Sequence, residues 1–179
     1  MSTDIAVIVG SLRRESVSRS VFMAASQLVG DDASLREVDI TQVPFFNEDL
    51  EVDGGPASVA ALKAAVDSAD GLIFFTPEYN GSFPALTKNA IDWLSRSQGA
   101  SVLNGKPIGV VSATPGAHEA ASVRSHFAAS VGMLSDRLFD RSIGIASATR
   151  VIADGVITDE ATAENLGTWL RDFIAFVQG

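Results

Sequence analysis

LIFFTPEYNGSFPALTKNAIDWLSR, residues Leu72 to Arg96, is the stretch from which the rest of this 179-residue chain is read. Its first four residues, Leu72 to Phe75, are apolar without alternation, the pattern of a strand covered on both faces. Pro77 fixes its own φ and has no N–H, while Gly81 and Pro84 punctuate the next turn. The backbone amides of Tyr79 to Ser82 are therefore expected to point at a ligand rather than into a sheet. From Ala85 the spacing predicts a helix, with Leu86, Ala90, Trp93 and Leu94 on one face and Lys88, Asp92 and Arg96 as a charge ladder at i, i+4. A polar turn between a buried strand and an amphipathic helix reads as a binding edge; the alternative is an ordinary loop leading into a core-packing helix.

The same alternation extends in both directions. Ile5 to Val9 is a short, mostly β-branched run that ends in the turn Gly10-Ser11, and a helix is expected over Ser18 to Leu28 with Val21, Ala24, Ala25 and Leu28 on one face. Leu35 to Ile40 reads as the second strand. A long connection follows through Pro44, Phe45, Phe46 and Gly54-Gly55-Pro56, its aromatic pair expected to pack under the loop rather than at a subunit contact. A helix over Ala57 to Ala69 precedes the third strand, Leu72 to Phe75. Gly99 to Gly105 is expected to be a surface loop, Pro107 to Ser112 to hold the fourth strand, and His118 to Val131 to form a helix with Val123, Phe127 and Val131 in register. The fifth strand is either Leu134 to Phe139 or Ile143 to Ile145. A last helix runs from Asp159-Glu160 to Val177, acidic in its first turn as the helix dipole favours. Strands alternating with helices imply a five-stranded parallel sheet covered on both faces, a three-layer doubly wound α/β fold spanning 1–179 as one domain. Ligands in such sheets bind beyond the carboxyl ends of the strands, where the winding reverses.

Composition narrows the chemistry. Hydrophobic residues make up 46% and charged residues 20%, as in a folded chain, and there is no cysteine. Disulfides, thiolate zinc sites, iron–sulfur clusters and cysteine nucleophiles are thereby excluded, so a redox role must rest on a bound organic cofactor. The net charge of −9 disfavours nonspecific binding to nucleic acid or anionic lipid. MSTD leads into IAVIVG with no basic leader, and no apolar run approaches the ~20 residues of a membrane span, so a cytoplasmic location is expected. Against the acidic background, Arg13, Arg14 and Arg19 suggest a local anion site.

That site is GSLRRESVSR, Gly10 to Arg19, between the first strand and the first helix. The hydroxyls of Ser11, Ser16 and Ser18, the Arg13 guanidinium and amides at a helix N-terminus are the donors a phosphate needs. Neither G-x-x-x-x-G-K-[ST] nor G-x-G-x-x-G is present, so a monophosphate ligand fits better than a nucleoside triphosphate or a dinucleotide. The alternative is a solvated, serine-rich capping loop. His118 and His126, eight residues apart on a predicted helix, stand roughly 12 Å apart along its axis and cannot share a metal ion. Ser112 ends a strand, but GVVSATPG lacks the G-x-S-x-G elbow of a serine hydrolase. The pairs Glu48-Asp49 and Asp159-Glu160 are explained by solvation and capping.

Together, GSLRRESVSR and PEYNGSFPALTKNAIDWLSR resemble the NADPH-dependent FMN reductase family, which includes soluble quinone and chromate reductases, and the resemblance covers nearly the whole chain, including the lead into the final helix, Ala153 to Glu160. It implies a flavodoxin-like α/β/α sandwich with strand order 2-1-3-4-5, noncovalent FMN, NADPH or NADH as electron donor, and a homodimer or homotetramer. By position, Ser11, Arg13, Ser16 and Ser18 would hold the FMN phosphate. Pro77, Glu78, Tyr79, Asn80, Gly81 and Ser82 would wrap the isoalloxazine edge, and Ser112, Ala113, Thr114 and Gly116 would flank its pyrimidine side. Glu15, Ser18 and Ala85 stand where the family commonly has Gly, Asn and Gly, and the loop after strand four, SATPGAHEAASV, lacks the Gly-rich pair often found there. The implied activity is hydride transfer through FMN to a quinone, free flavin, azo compound or metal oxyanion such as chromate, with no catalytic side chain required. The alternative is an FMN-binding electron carrier without nicotinamide turnover.

Overall fold

Runs of apolar residues with no polar alternation need cover on both faces, and they receive it in a computed structural model that describes residues 2–96 and 101–179. The elements in order are β1 (Thr3–Val9), α1 (Val17–Leu28), β2 (Ala33–Glu37), a 3₁₀ segment (Glu48–Gly54), α2 (Ala57–Asp67), β3 (Gly71–Pro77), α3 (Ala85–Leu94), β4 (Ile108–Ala113), α4 (Ala121–Val131), β5 (Ile143–Ile145), α5 (Ala148–Val151), β6 (Ile152–Ala153), β7 (Val156–Ile157) and α6 (Glu160–Gln178). The first five strands form a parallel sheet in the order β2-β1-β3-β4-β5, and β6 and β7 pair as a small antiparallel hairpin. Side chains alternate across the sheet into two cores. Val7, Val9, Ile73, Phe75 and Val111 pack under α1 and α6, while Ala6, Ile8, Leu72, Phe74 and Val110 pack under α2, α3 and α4. This is the flavodoxin-like three-layer sandwich expected from the strand and helix pattern.

The differences from expectation have local causes. β2 pairs over Ala33–Glu37 rather than Leu35 to Ile40, because it is an edge strand whose apolar residues do not mark the ladder. Val38 and Ile40 are buried beyond it, in the core beside Val59 and Leu62. The fifth strand is Ile143–Ile145; the competing segment supplies one bridge, between Leu138 and Ile108. Leu28 ends α1 at 39% exposure, so the buried stripe of that helix stops at Ala25.

The aromatic pair divides: Phe46 meets the Trp93 ring at 4.9 Å, and Phe45 is exposed. The charge ladder is also shorter than expected. Lys88 and Asp92 pair at 2.5 Å, but the helix ends at Leu94 and Arg96 turns to Glu51 at 2.8 Å. Of the expected loop from Gly99 to Gly105, the first two positions lie outside the described residues, and Leu103 is fully buried rather than at the surface. No helix among the described residues is long and apolar enough to cross a membrane.

Candidate functional site

Between β1 and β3 the winding reverses, and the loops that follow β1, β3 and β4 converge there on a cleft of about 240 Å³. The backbone ladder continues past β1, with the Gly10 N–H donating to the Phe75 carbonyl at 2.8 Å. Only glycine fits at that point: a Cβ on Gly10 would fall inside contact distance of Thr87 Oγ1 and 3.0 Å from Thr76 Oγ1, the two hydroxyls that tie β3 to α3 at 3.1 Å.

The first loop supplies Ser11, Arg13, Ser16, Val17 and Ser18 to the cleft. Ser16 is the N-cap of α1; its hydroxyl accepts from the Arg19 N–H at 3.2 Å and its carbonyl from the Ser20 N–H at 3.0 Å. The amides of Val17 and Ser18, at the start of the helix, have no protein acceptor among the described residues. Beside them, the Ser18 hydroxyl is 1% exposed, and its oxygen is the one buried side-chain polar atom among the described residues with no hydrogen-bond partner. A buried orphan of this kind is costly unless a ligand meets it. Of the three arginines, Arg13 lines the cleft and forms no ion pair among the described residues, whereas Arg19 is drawn away to Glu37 at 2.5 Å.

From the second loop come Pro77, Glu78 and Tyr79. Asn80 and Gly81 both have positive φ, 52° and 76°, and form the tip of a two-residue hairpin closed by Tyr79 N–H to Ser82 carbonyl at 2.8 Å and Ser82 N–H to Tyr79 carbonyl at 3.1 Å. The expectation that all four amides face a ligand is thus corrected: the outer two are consumed by the turn. Asn80, Gly81 and Ser82 do not line the cleft. The Glu78 carboxylate turns toward α4 and accepts from the Val123 N–H at 3.2 Å. It serves as a remote cap there because Ala120, at φ 52°, offers no side-chain cap of its own, and this is why α4 starts three residues later than His118.

The third loop contributes Ala113, Thr114 and Pro115. Ser112 and Gly116 stand behind it. The Ser112 hydroxyl is fully buried, donates to the Glu119 carbonyl at 3.0 Å and accepts from Arg124 Nη1 at 2.9 Å, which leaves it neither ligand contact nor nucleophilic role. Gly116 donates to Thr114 Oγ1 at 3.1 Å and accepts from the Ser147 N–H at 2.6 Å. Sequence reasoning missed Val17, an apolar residue that offers the cleft its backbone amide rather than a side-chain donor, and Arg124, which lies on α4 beyond the third loop. A larger cleft, about 610 Å³ between β5 and α6, holds no orphaned buried side-chain atom. Among the described residues no three His, Cys, Asp or Glu side chains are grouped to hold a metal ion.

The arrangement joins one end built of free helix amides, an orphan hydroxyl and an unpaired guanidinium, donors of the kind an anion needs, to a space between Pro77–Tyr79 and Ala113–Pro115. Residues 3–148 match the family model described as NADPH-dependent FMN reductase. A 2-hydroxy-1,4-benzoquinone reductase of Burkholderia sp is 36% identical over 180 residues, covering 99% of this chain and 98% of that protein. An NAD(P)H-dependent FMN reductase of Pseudomonas aeruginosa is 34% identical over 168 residues, 92% of this chain and 90% of its own. Among solved structures, the flavoenzyme NAD(P)H:(acceptor) oxidoreductase of Paracoccus denitrificans superposes with a TM-score of 0.90 at 31% identity, over 98% of this chain and 97% of the other.

Proposed function

This chain belongs to the NADPH-dependent FMN reductase family, and on that premise we propose that its 240 Å³ cleft holds FMN, with the phosphate at Ser11, Arg13, Ser16 and Ser18 and the ring between the loops after β3 and β4. The protein is an FMN-dependent NAD(P)H oxidoreductase. When bound, FMN supplies the redox chemistry, taking a hydride from the nicotinamide and passing the electrons to a second substrate. The chain's part is to bind, orient and tune: amides of Val17 and Ser18 and the Arg13 guanidinium neutralise the phosphate, while Pro77, Tyr79, Ala113 and Pro115 confine the ring. Asn80, Gly81 and Ser82 shape the rim through their hairpin, and Ser112 and Gly116 hold the opposite wall from behind.

The acceptor we assign is a quinone. A relative matched over 99% of this chain and 98% of its own is named a 2-hydroxy-1,4-benzoquinone reductase, and the space between Pro77–Tyr79 and Ala113–Pro115 gives a planar acceptor a place beside the ring. The relatives' names are those of reductases that use nicotinamide, which weighs against an electron carrier without turnover. We further propose a homodimer or homotetramer, as the family resemblance implies, working in the cytoplasm.

The observation that carries the FMN assignment is the unpartnered Ser18 hydroxyl beside two free helix amides. An absorption spectrum tests it: protein mixed with FMN and gel-filtered should retain a band at about 450 nm that bleaches with NADPH and returns with a quinone. Protein that stays colourless removes the cofactor assignment; a band that NADPH does not bleach removes the reductase.

A further inference from the structure

We propose that Arg124, which takes no part in the flavin contacts above, is a positioning residue for the loop after β4 and that its fixed charge favours the reduced over the oxidised form of the bound flavin. The inference rests on the flavin reading of the cleft. Arg124 sits in the first turn of α4 with its side chain 14% exposed. Its Nη1 donates to the Ser112 hydroxyl at 2.9 Å and to the Glu119 carbonyl, joining the end of β4 to the far end of the loop that leaves it. The guanidinium lies on the bare backbone of Gly144 in β5, where any Cβ would collide with Nη1 and with the Glu119 carbonyl. Three segments thus meet at one cation, and glycine at 144 leaves the space for it.

Position gives the charge its consequence. Ser112 directly precedes Ala113 and Thr114, which line the cleft, while Arg124 lines the larger cleft between β5 and α6, so the guanidinium stands on the far side of that wall. Its neutralisation is incomplete. The nearest carboxylate, Glu119, is 3.8 Å away and 67% exposed, and that of Glu78 is already engaged by the Val123 N–H. Burial works against the charge while Glu119 and Glu78 support it, so the pKa lies below that of a free arginine, yet a guanidinium stays protonated throughout the working range. Two-electron reduction adds negative charge to the flavin ring, and a fixed cation behind the wall favours the more negative form.

The test measures the FMN dissociation constant by flavin fluorescence and the midpoint potential of the holoprotein, for wild type, Arg124→Met, Arg124→Lys and Glu119→Gln. Arg124→Met should weaken oxidised FMN several-fold and reduced FMN about tenfold more, lowering the midpoint by about 30 mV for a two-electron couple. Arg124→Lys should restore the potential but not the affinity, because an ammonium keeps the charge without the planar fork. Glu119→Gln removes the exposed counter-charge, leaves its carbonyl in place, and should move the midpoint about threefold the other way, roughly 14 mV upward. An Arg124→Met midpoint equal to or above wild type overturns the proposal. Should that variant not fold, a Glu119→Gln midpoint at or below wild type does the same. Failure of the flavin reading itself appears earlier, as wild-type protein that takes up no FMN.

Discussion

Replacing Ser18 by alanine should stabilise the ligand-free protein and weaken the FMN complex, two effects of opposite sign from one oxygen atom. In the free protein the Ser18 hydroxyl is 1% exposed and has no partner, so its desolvation is uncompensated. An unsatisfied buried polar group costs ~1–3 kcal/mol, taken at its lower end, and the better helix propensity of alanine adds a few tenths. A gain of ~1 kcal/mol corresponds to a Tm increase of about 2–4 °C in a chain of this size. On the proposed reading the hydroxyl donates to a phosphate oxygen of bound FMN, and losing such a charge-assisted bond costs ~1.5–3 kcal/mol, a dissociation constant raised ~10- to 150-fold. At a fixed FMN concentration of ~100 times the wild-type dissociation constant, the ligand stabilises wild type by ~2.7 kcal/mol and a variant weakened tenfold by ~1.4 kcal/mol. The gap between apo and holo Tm should therefore close from both sides, as read by scanning calorimetry with and without FMN. An apo Tm below wild type, or an unchanged dissociation constant, would refute the reasoning and return Ser18 to simple packing.

Arg13→Ala should weaken FMN by ~1.5–3 kcal/mol and flatten the dependence of binding on salt while leaving apo stability unchanged, since this exposed guanidinium has no ion-pair partner among the described residues. Gly10→Ala drives a methyl into the Thr76–Thr87 hydroxyl pair and should cost ~1–3 kcal/mol in urea unfolding; an unchanged midpoint would mean that the close approach is not rigid. Asn89→Ala strips the Phe46 N–H of its partner at 2.7 Å and leaves the Pro44 carbonyl only its bond from Trp93 Nε1 at 2.8 Å, so proteolysis at the segment after Ile40 should accelerate and stability fall by ~1–3 kcal/mol. Asp4 bonds Arg36 at 2.9 Å, which holds its carboxyl below the usual value, so its stabilising contribution is complete above the unfolded pKa of ~3.9 and is lost as pH falls through the lower folded value. Asp4→Asn should make stability less steep in pH across that acid window, and an identical pH profile would count against the pairing.

Two features of the sheet made it legible. Ile5 to Val9 and Leu72 to Phe75 are apolar without alternation because helices cover both their faces, so pattern and burial coincide. β2 and β5 sit at the edges, where pairing is set by register with one neighbour rather than by composition, and there the boundaries slipped or two segments competed. In the site, Ser11, Arg13, Ser16 and Ser18 were readable as donors because residue type carries donor capacity. What could not be read was which donors the fold had already engaged. Ser112 and Ser18 are both buried serines, yet one bonds Arg124 and Glu119 and the other bonds nothing. Asn80-Gly81 signals a tight turn from sequence, but the consumption of the Tyr79 and Ser82 amides follows only from the closed hairpin.

Both walls of the cleft share one brace, although the wall after β4 is also tied to β5 and α5 through Thr114 and Gly116. The wall after β3 is tied to α4 by Glu78 through the Val123 N–H, and the wall after β4 is tied to it by Ser112 through Arg124, the next residue along. Neither bond lies within a strand or helix ladder, and the two come from adjacent positions of one helical turn preceded by Ala120 at positive φ. A displacement of that turn would move both walls together, whereas a displacement of either loop alone must break its own bond to α4. The spacing of the two walls thus depends in part on how α4 begins, and on the proposed flavin reading Val123 and Arg124 would act on the fit of the ring without touching it.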